Sequence, residues 1–263
     1  MKAAFPKLYG FWLSPYMSMV ANVLEEAGID YDYVRTSTLS GGNHTAAYRA
    51  INPNMKVPSL VDSDGTTVTE SIAICRYIGR RYPEPHGIYP SDDAALCARI
   101  DAKSDFLAFH VGGPYFNWFV VSGHFPIAWG LDTAEESNTF ALWSAFLVRG
   151  EMHRFLDTTE FAPFVCGSTP TLPDFQLFYL LEHGRTLSKL YDQPALDFIE
   201  GNDVLRDFYE AMAARPSTRT ILKKRADEAA LNSHELLNEM KPAHEEMLAG
   251  AKQILADMFG HPV

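Results

Sequence analysis

Three stretches of this sequence place polar groups or a proline where a strand meets a turn or a helix. In YGFWLSPYMSMVANVLEEAG, residues 9–28, Ser14 and Pro15 separate an apolar run from a helical pattern. Pro15 suits a first helical position, so Ser14 reads as an N-cap whose oxygen accepts a free amide of the first turn; the alternative is that its hydroxyl serves chemistry. In NMKVPSL, 54–60, Pro58 heads a strand. A proline there marks an edge or a bulge, or else a cis Val57–Pro58 bond turns the Val57 backbone outward to pair with a peptide-like ligand. In VTESIAICRYI, 68–78, Glu70 and Ser71 stand at a strand-to-helix junction. Ser71 is either a plain N-cap or part of a helix start that receives a carboxylate while Glu70 holds an ammonium. Such a pair suits the charged end of an amino acid.

A fourth stretch, DFLAFHVGGPYFNWFVVSGHFPIAW at 105–129, is dense in aromatic residues, with Phe109, Tyr115, Phe116, Trp118 and Phe119. Aromatic stripes at helical spacing form cores. Here Gly112, Gly113 and Pro114 interrupt the helix, and the interruption leaves room for a pocket suited to a bulky apolar or aromatic compound.

The elements that must position these groups follow from periodicity. Residues 5–13 read as a strand, the helix opening at Ser14 carries Val20, Val23, Leu24 and Ala27 to a stop at Gly28, and DYDYVR at 30–35 alternates as a second strand. A Gly-Gly turn, a short helix and an Asn-Pro stop come next. A hairpin about Ser63, Asp64 and Gly65 then leads into a helix from Ser71. The proline-rich RRYPEPHGIYPSDD, 80–93, is the expected domain boundary. Beyond it the pattern is helical, at 93–121, 133–157, 171–190, 203–214 and in a tail from about 225. The expected fold class is a small α/β domain followed by an all-helical one.

A net charge of −11 argues against a nucleic-acid partner, and requires any anionic ligand to be held by helix N-termini and a few placed cations. Cys75, Cys97 and Cys166 are odd in number and lack metal-type spacing, which points to free thiols in a reducing, cytoplasmic setting with no metal. No stretch has the length of a membrane span, and residues 1–8 lack the plan of a signal peptide.

FWLSPY, NPNMKVPSL and VTESIAICRYI, in this order and spacing, resemble the glutathione transferases of the serine type, including phi, tau, theta and bacterial relatives. The resemblance is specific over residues 7–82. It implies a thioredoxin-like glutathione-binding domain at 1–83, a linker at 84–92 and a helical-bundle domain at 93–263 with a C-terminal extension from about 225. CGSTPTLPDFQLFYLL, 166–181, resembles the family's buried capping box, with Thr171 as N-cap and Asp174 three residues on.

The resemblance also implies roles. Ser14 would donate a hydrogen bond to the sulfur of glutathione and favour the thiolate, which a free thiol with a pKa of about 8.5 populates only slightly near neutrality. Tyr16 and Ser18 are its rivals. Val57 beside Pro58 would pair its backbone with the cysteinyl unit, and Glu70 with Ser71 would hold the γ-glutamyl end. Lys56 matches a tau-type lysine, and Asn43 with His44 stand where phi enzymes carry a basic pair for the glycyl carboxylate. Asp101 would reach the glutathione site of the partner subunit in a homodimer. Phe11, Trp12, Tyr16, Phe109, Tyr115, Phe116, Trp118 and Phe119 would line the pocket for a hydrophobic electrophile.

The function so implied is transfer of glutathione to that electrophile by conjugation, dehalogenation or ether cleavage. A glutathione-dependent lyase or isomerase and a non-catalytic binding or regulatory protein are the alternatives. KPAHEEMLAGAKQILADMFG, 241–260, has an apolar face suited either to packing on the helical domain or to covering the electrophile pocket.

Overall fold

The computed structural model describes residues 5–38, 41–82, 87–116, 135–191 and 194–231. Strand β1 (Lys7–Gly10), helix α1 (Pro15–Glu26) and strand β2 (Asp32–Arg35) form the strand, helix, strand unit read from the sequence, with β1 and β2 parallel. A 3-10 turn at Gly42–His44 leads to helix α2 (Ala46–Ile51), the hairpin β3 (Ser59–Val61) and β4 (Thr67–Thr69), and helix α3 (Ser71–Arg81). The sheet runs β2-β1-β3-β4, with β3 antiparallel to β1 and β4 antiparallel to β3. This is a thioredoxin-like domain. Its buried centre is Leu8, opposite Tyr33 on one side and Leu60 on the other.

Helix α1 has the ends its sequence prescribes. The Ser14 hydroxyl accepts the Met17 N–H at 3.3 Å, and Pro15 opens the helix. At the other end Gly28 takes a φ of 64°, which lets its N–H reach the Glu25 carbonyl and the Ile29 N–H reach that of Leu24. Gly10 has a different purpose: a Cβ there would lie 2.9 Å from Met17 Cγ, so only glycine lets the end of β1 approach the first turn of α1.

The second domain is helical: α4 (Ala94–Phe106), α5 (Glu135–Asp157), α6 (Leu172–Tyr191), α7 (Asp203–Ala213) and α8 (Pro216–Leu231). Helix α1 packs against α3 in its own domain and against α6 and α8 of the other. Every residue of α1 from Met17 to Leu24 is buried. The two glutamates at its C-terminal end oppose the helix dipole, and two cations compensate: Arg215, just before α8, to Glu26, and Lys224 of α8 to Glu25.

Three expectations need correction. The helix expected at 93–121 is α-helical only to Phe106 and continues as a π-helix over Leu107–Gly112. In this wider turn, Cβ atoms at Gly112 and Gly113 would stand 3.1 Å from the Leu107 carbonyl and 3.0 Å from that of Ala108, so the adjacent glycines give these carbonyls room. Ser71 is the first residue of α3 and not its cap; Glu70 holds the cap position without a side-chain cap bond. Helix α8 runs through position 225, where the tail was expected to begin, and the segment 232–263 lies outside the described residues.

The carboxylate half of the expected capping box is present at the start of α6. Asp174 accepts the Val165 N–H at 2.8 Å, the Thr171 N–H at 2.7 Å and the Thr171 hydroxyl at 3.0 Å. Burial pushes its carboxyl up to about 6, with these donors pulling the other way. Asp174→Ala leaves these donors without their acceptor in the interior, and a loss of roughly 3 kcal/mol is expected. A urea midpoint that does not move would show that this box contributes nothing to stability.

Candidate active site

The sheet register brings the three polar stretches together. Tyr9 at the end of β1 pairs with Ser59 at the start of β3, and Ser59 pairs with Thr69 at the end of β4. The loop to Ser14, the Val57–Pro58 peptide and the Glu70–Ser71 junction therefore leave the sheet at the same end, on three adjacent strands. Neighbouring strands lie about 4.8 Å apart, so the stretches stand side by side. Parallel β2 ends there too, with Gly10 opposite Arg35. Helices α1 and α3 both start at this end, which turns two helix N-termini toward one place in a protein of net charge −11.

Ser14 is 7% exposed, and its own N–H closes the preceding turn on the Phe11 carbonyl at 3.1 Å. The hydroxyl oxygen accepts the Met17 amide and keeps its proton to donate. The rival hydroxyls are committed elsewhere. Ser18 is fully buried and donates to the Trp12 carbonyl at 2.7 Å. Tyr16 faces the Gly112 carbonyl at 3.3 Å, and burial pushes its phenol up to about 12, which keeps it neutral at physiological pH.

The Val57–Pro58 bond is cis, and the strand ladder begins only at Ser59. Residues that the sequence reading passed over hold the approach to this corner. The Tyr48 hydroxyl binds the Lys56 carbonyl at 2.6 Å and Ser59 Oγ at 2.8 Å, and Asn52 Nδ2 donates to the same carbonyl at 2.7 Å. The signal was present in part: Asn52 was legible as a helix stop, but its side-chain partners are not adjacent in sequence.

Glu70 is exposed and has a φ of 67° and a ψ of 116°. This backbone is strained for a residue with a Cβ, at a cost of about 1–3 kcal/mol, and such strain concentrates at functional sites. It sets the turn from β4 into α3, with the Ser71 hydroxyl in the first helical turn.

Several expected site residues have other partners. Asn43 is buried and donates to the Met55 carbonyl at 2.7 Å, so it fixes the backbone ahead of Val57. His44 and Lys56 are exposed. Asp101 is held within its own protomer by Arg76 Nε at 2.8 Å and the Tyr89 hydroxyl at 2.9 Å. Of the aromatic residues, Tyr16 and Phe116 meet edge to face at 5.7 Å beside the π-helix. Phe11 is buried. Trp12 packs on Tyr33 at 4.5 Å beneath the Lys224 ammonium. Tyr115 lies in the core against His183 and Phe198, whereas Phe109 is 75% exposed. A helical wheel cannot separate these fates, because the π-turn shifts the phase of every residue after Leu107. Trp118 and Phe119 lie outside the described residues.

Residues 8–86 match the family model for the glutathione S-transferase N-terminal domain. The chain is 38% identical over 98 residues to glutathione S-transferase Z2 of Arabidopsis thaliana, covering 37% of this chain and 43% of that protein. It is 41% identical over 93 residues to probable maleylacetoacetate isomerase 1 of Drosophila melanogaster, covering 34% and 37%. These matches thus span less than half of either relative. A solved glutathione transferase homologue from Sulfitobacter with bound glutathione superposes with a TM-score of 0.67 at 22% identity, over 84% of this chain and 98% of that one. That likeness extends the shared fold into the helical domain. Residues 8–86 thus match a glutathione S-transferase N-terminal domain, and the described residues share the two-part fold of a solved glutathione transferase homologue.

Proposed function

We propose that the protein is a glutathione transferase that activates its cosubstrate through Ser14 and delivers the thiolate to a hydrophobic electrophile. The observation that supports this most is the register Tyr9, Ser59, Thr69, which sets Ser14, Val57 and the Glu70–Ser71 junction along one end of the sheet. An extended tripeptide laid across three strand ends meets them in turn. The Val57 backbone takes its central peptide, the amides and hydroxyl at Ser71 take the α-carboxylate of the γ-glutamyl unit, and Glu70 takes the ammonium. The sulfur then falls at the α1 N-terminus, where the Ser14 proton and the helix dipole both favour negative charge. For the glycyl carboxylate the exposed Lys56 and His44 remain as candidates, while Asn43 is replaced in that role because its amide already serves Met55.

The electrophile would lie between the domains, with Tyr16 and Phe116 as the aromatic pair nearest this end. A glutathione-dependent isomerase is the second reading, favoured by the likeness to a protein named as a probable maleylacetoacetate isomerase. Isomerisation returns its glutathione and conjugation consumes it. Retention on immobilised glutathione followed by the stoichiometry of glutathione loss separates these two readings from each other and from a non-catalytic binding protein. No described helix is long and apolar enough to cross a membrane; a cytoplasmic location belongs to the proposal.

Ser14→Ala removes a hydrogen bond to an anion worth about 1.5–3 kcal/mol, so kcat at neutral pH falls about 10- to 100-fold. The pKa of the bound thiol rises by about 1–2 units, and activity returns as pH increases. An unchanged pH–rate profile in the variant would remove Ser14 from the mechanism. Glu70→Ala and Ser71→Ala act at the end of the tripeptide remote from sulfur: each weakens glutathione binding roughly tenfold with kcat at saturation nearly constant. Calorimetry with wild-type affinity in both would place the binding site elsewhere. The protein is expected to sediment as a homodimer at micromolar concentration, and a monomer would contradict the proposed partner arrangement.

A further inference from the structure

Helix α8 reaches back across the molecule to a single residue of the loop before Ser14. Glu228 accepts the Trp12 backbone N–H, and Arg225 Nη1 donates to the Trp12 carbonyl at 2.8 Å. The same guanidinium nitrogen donates to Ser18 Oγ at 2.9 Å, and Ser18 in turn donates to the Trp12 carbonyl. Arg35 at the end of β2 binds the other oxygen of Glu228 at 2.8 Å. Lys224 stands over the Trp12 indole at 4.9 Å. Arg225 and Glu228 lie three positions apart, hence on one face of the helix, and are only 5% and 4% exposed.

Burying a guanidinium and a carboxylate is expensive even when each is bonded, and apolar residues of similar volume would pack the same helix at no such cost. What the charged pair supplies is directional hold: one member takes the N–H of Trp12 and the other takes its C=O. With both polar groups of one residue pinned, the Phe11–Ser14 turn cannot rotate, and the Ser14 hydroxyl stands two residues further on. These contacts come from residues far beyond the matched segment 8–86.

We infer that Arg225 and Glu228 are positioning residues which, through the Trp12 backbone, hold Ser14 in the orientation that donates to the thiolate. The inference rests on the proposed glutathione chemistry and adds to it a dependence of the first domain's site on the last described helix. It also explains why Ser18, one of the rival hydroxyls, is conscripted for structure: it is the second donor to the same carbonyl, beside Arg225.

The test combines two readouts in the full chain: amide hydrogen exchange of the peptide spanning 9–20, and the ultraviolet titration of glutathione thiolate bound to the enzyme. In Glu228→Ala, exchange in that peptide should quicken at least tenfold. The bound thiol pKa should rise by about one unit and kcat should fall about tenfold, with the glutathione dissociation constant within threefold of wild type. Glu228→Gln, which retains an acceptor, should recover most of each loss. If Glu228→Ala does not fold, Glu228→Gln and Ser18→Ala carry the test, with smaller shifts in the same direction. Normal exchange and a normal thiol pKa across these variants would overturn the inference, as would a loss confined to glutathione affinity. Should the wild type bind no glutathione, the functional reading fails on its own, and the exchange result still decides whether α8 holds the loop.

Discussion

Helix α1 is buried on every side, and the rest of the structure is arranged around that fact. A surface helix needs one apolar stripe, but α1 must satisfy the sheet and α3 on one flank and α6 and α8 on the other. Its sequence meets both demands with an apolar body and two buried polar side chains. Asn22 donates to Thr218 at 2.9 Å and Ser18 closes on the Trp12 carbonyl. A helix fixed from both domains has a fixed N-terminus, and the N-terminus of α1 is where Ser14 stands. The precision of the candidate site is thus a consequence of interdomain packing as much as of the loop that carries it.

The opposite end of the same logic appears at the edge formed by β3 and β4. On the proposed reading the backbone there is what meets the ligand, and side chains hold it still. Asn43, Tyr48 and Asn52 all bind carbonyls between Met55 and Lys56, and Glu70 keeps a positive φ into α3. A peptide-like ligand recognised by main-chain groups needs such support, because an N–H or C=O that can swing away gains nothing by pairing. Buried polar residues in this region therefore mark scaffolding around a site, and the exposed ones beside it, His44, Lys56 and Glu70, are free to meet solvent or ligand.

Charge follows the same division. With a net charge of −11 the molecule repels anions as a whole. Two helix N-termini at one end of the sheet provide a local exception, while two cations of α8, Lys224 and Arg225, are turned inward. Arg215, just before α8, and Lys224 and Arg225 within it answer Glu26, Glu25 and the Trp12 carbonyl, so they stitch the domains together.

The sequence alone determined the strand, helix, strand start, the hairpin, the helical second half and the three polar junctions, because each rests on local chemistry: a proline and a cap at 14–15, a glycine at 28, a turn at 63–65, and apolar spacing along the helices. The capping box of Thr171 and Asp174 was legible for the same reason, since both partners lie within one helical turn. What only the tertiary structure decided is where side chains of equal local promise end up. Trp12, Tyr115 and Phe109 share one aromatic character, yet one lies under α8, one in the core and one in solvent, and the π-turn after Phe106 resets the phase that a periodic reading assumes. Nor could spacing show that Arg225 and Glu228 belong to a loop more than two hundred positions earlier. Local rules specify which elements form; partners distant in the chain are chosen by how those elements pack, and that choice assigns each buried polar group its ligand.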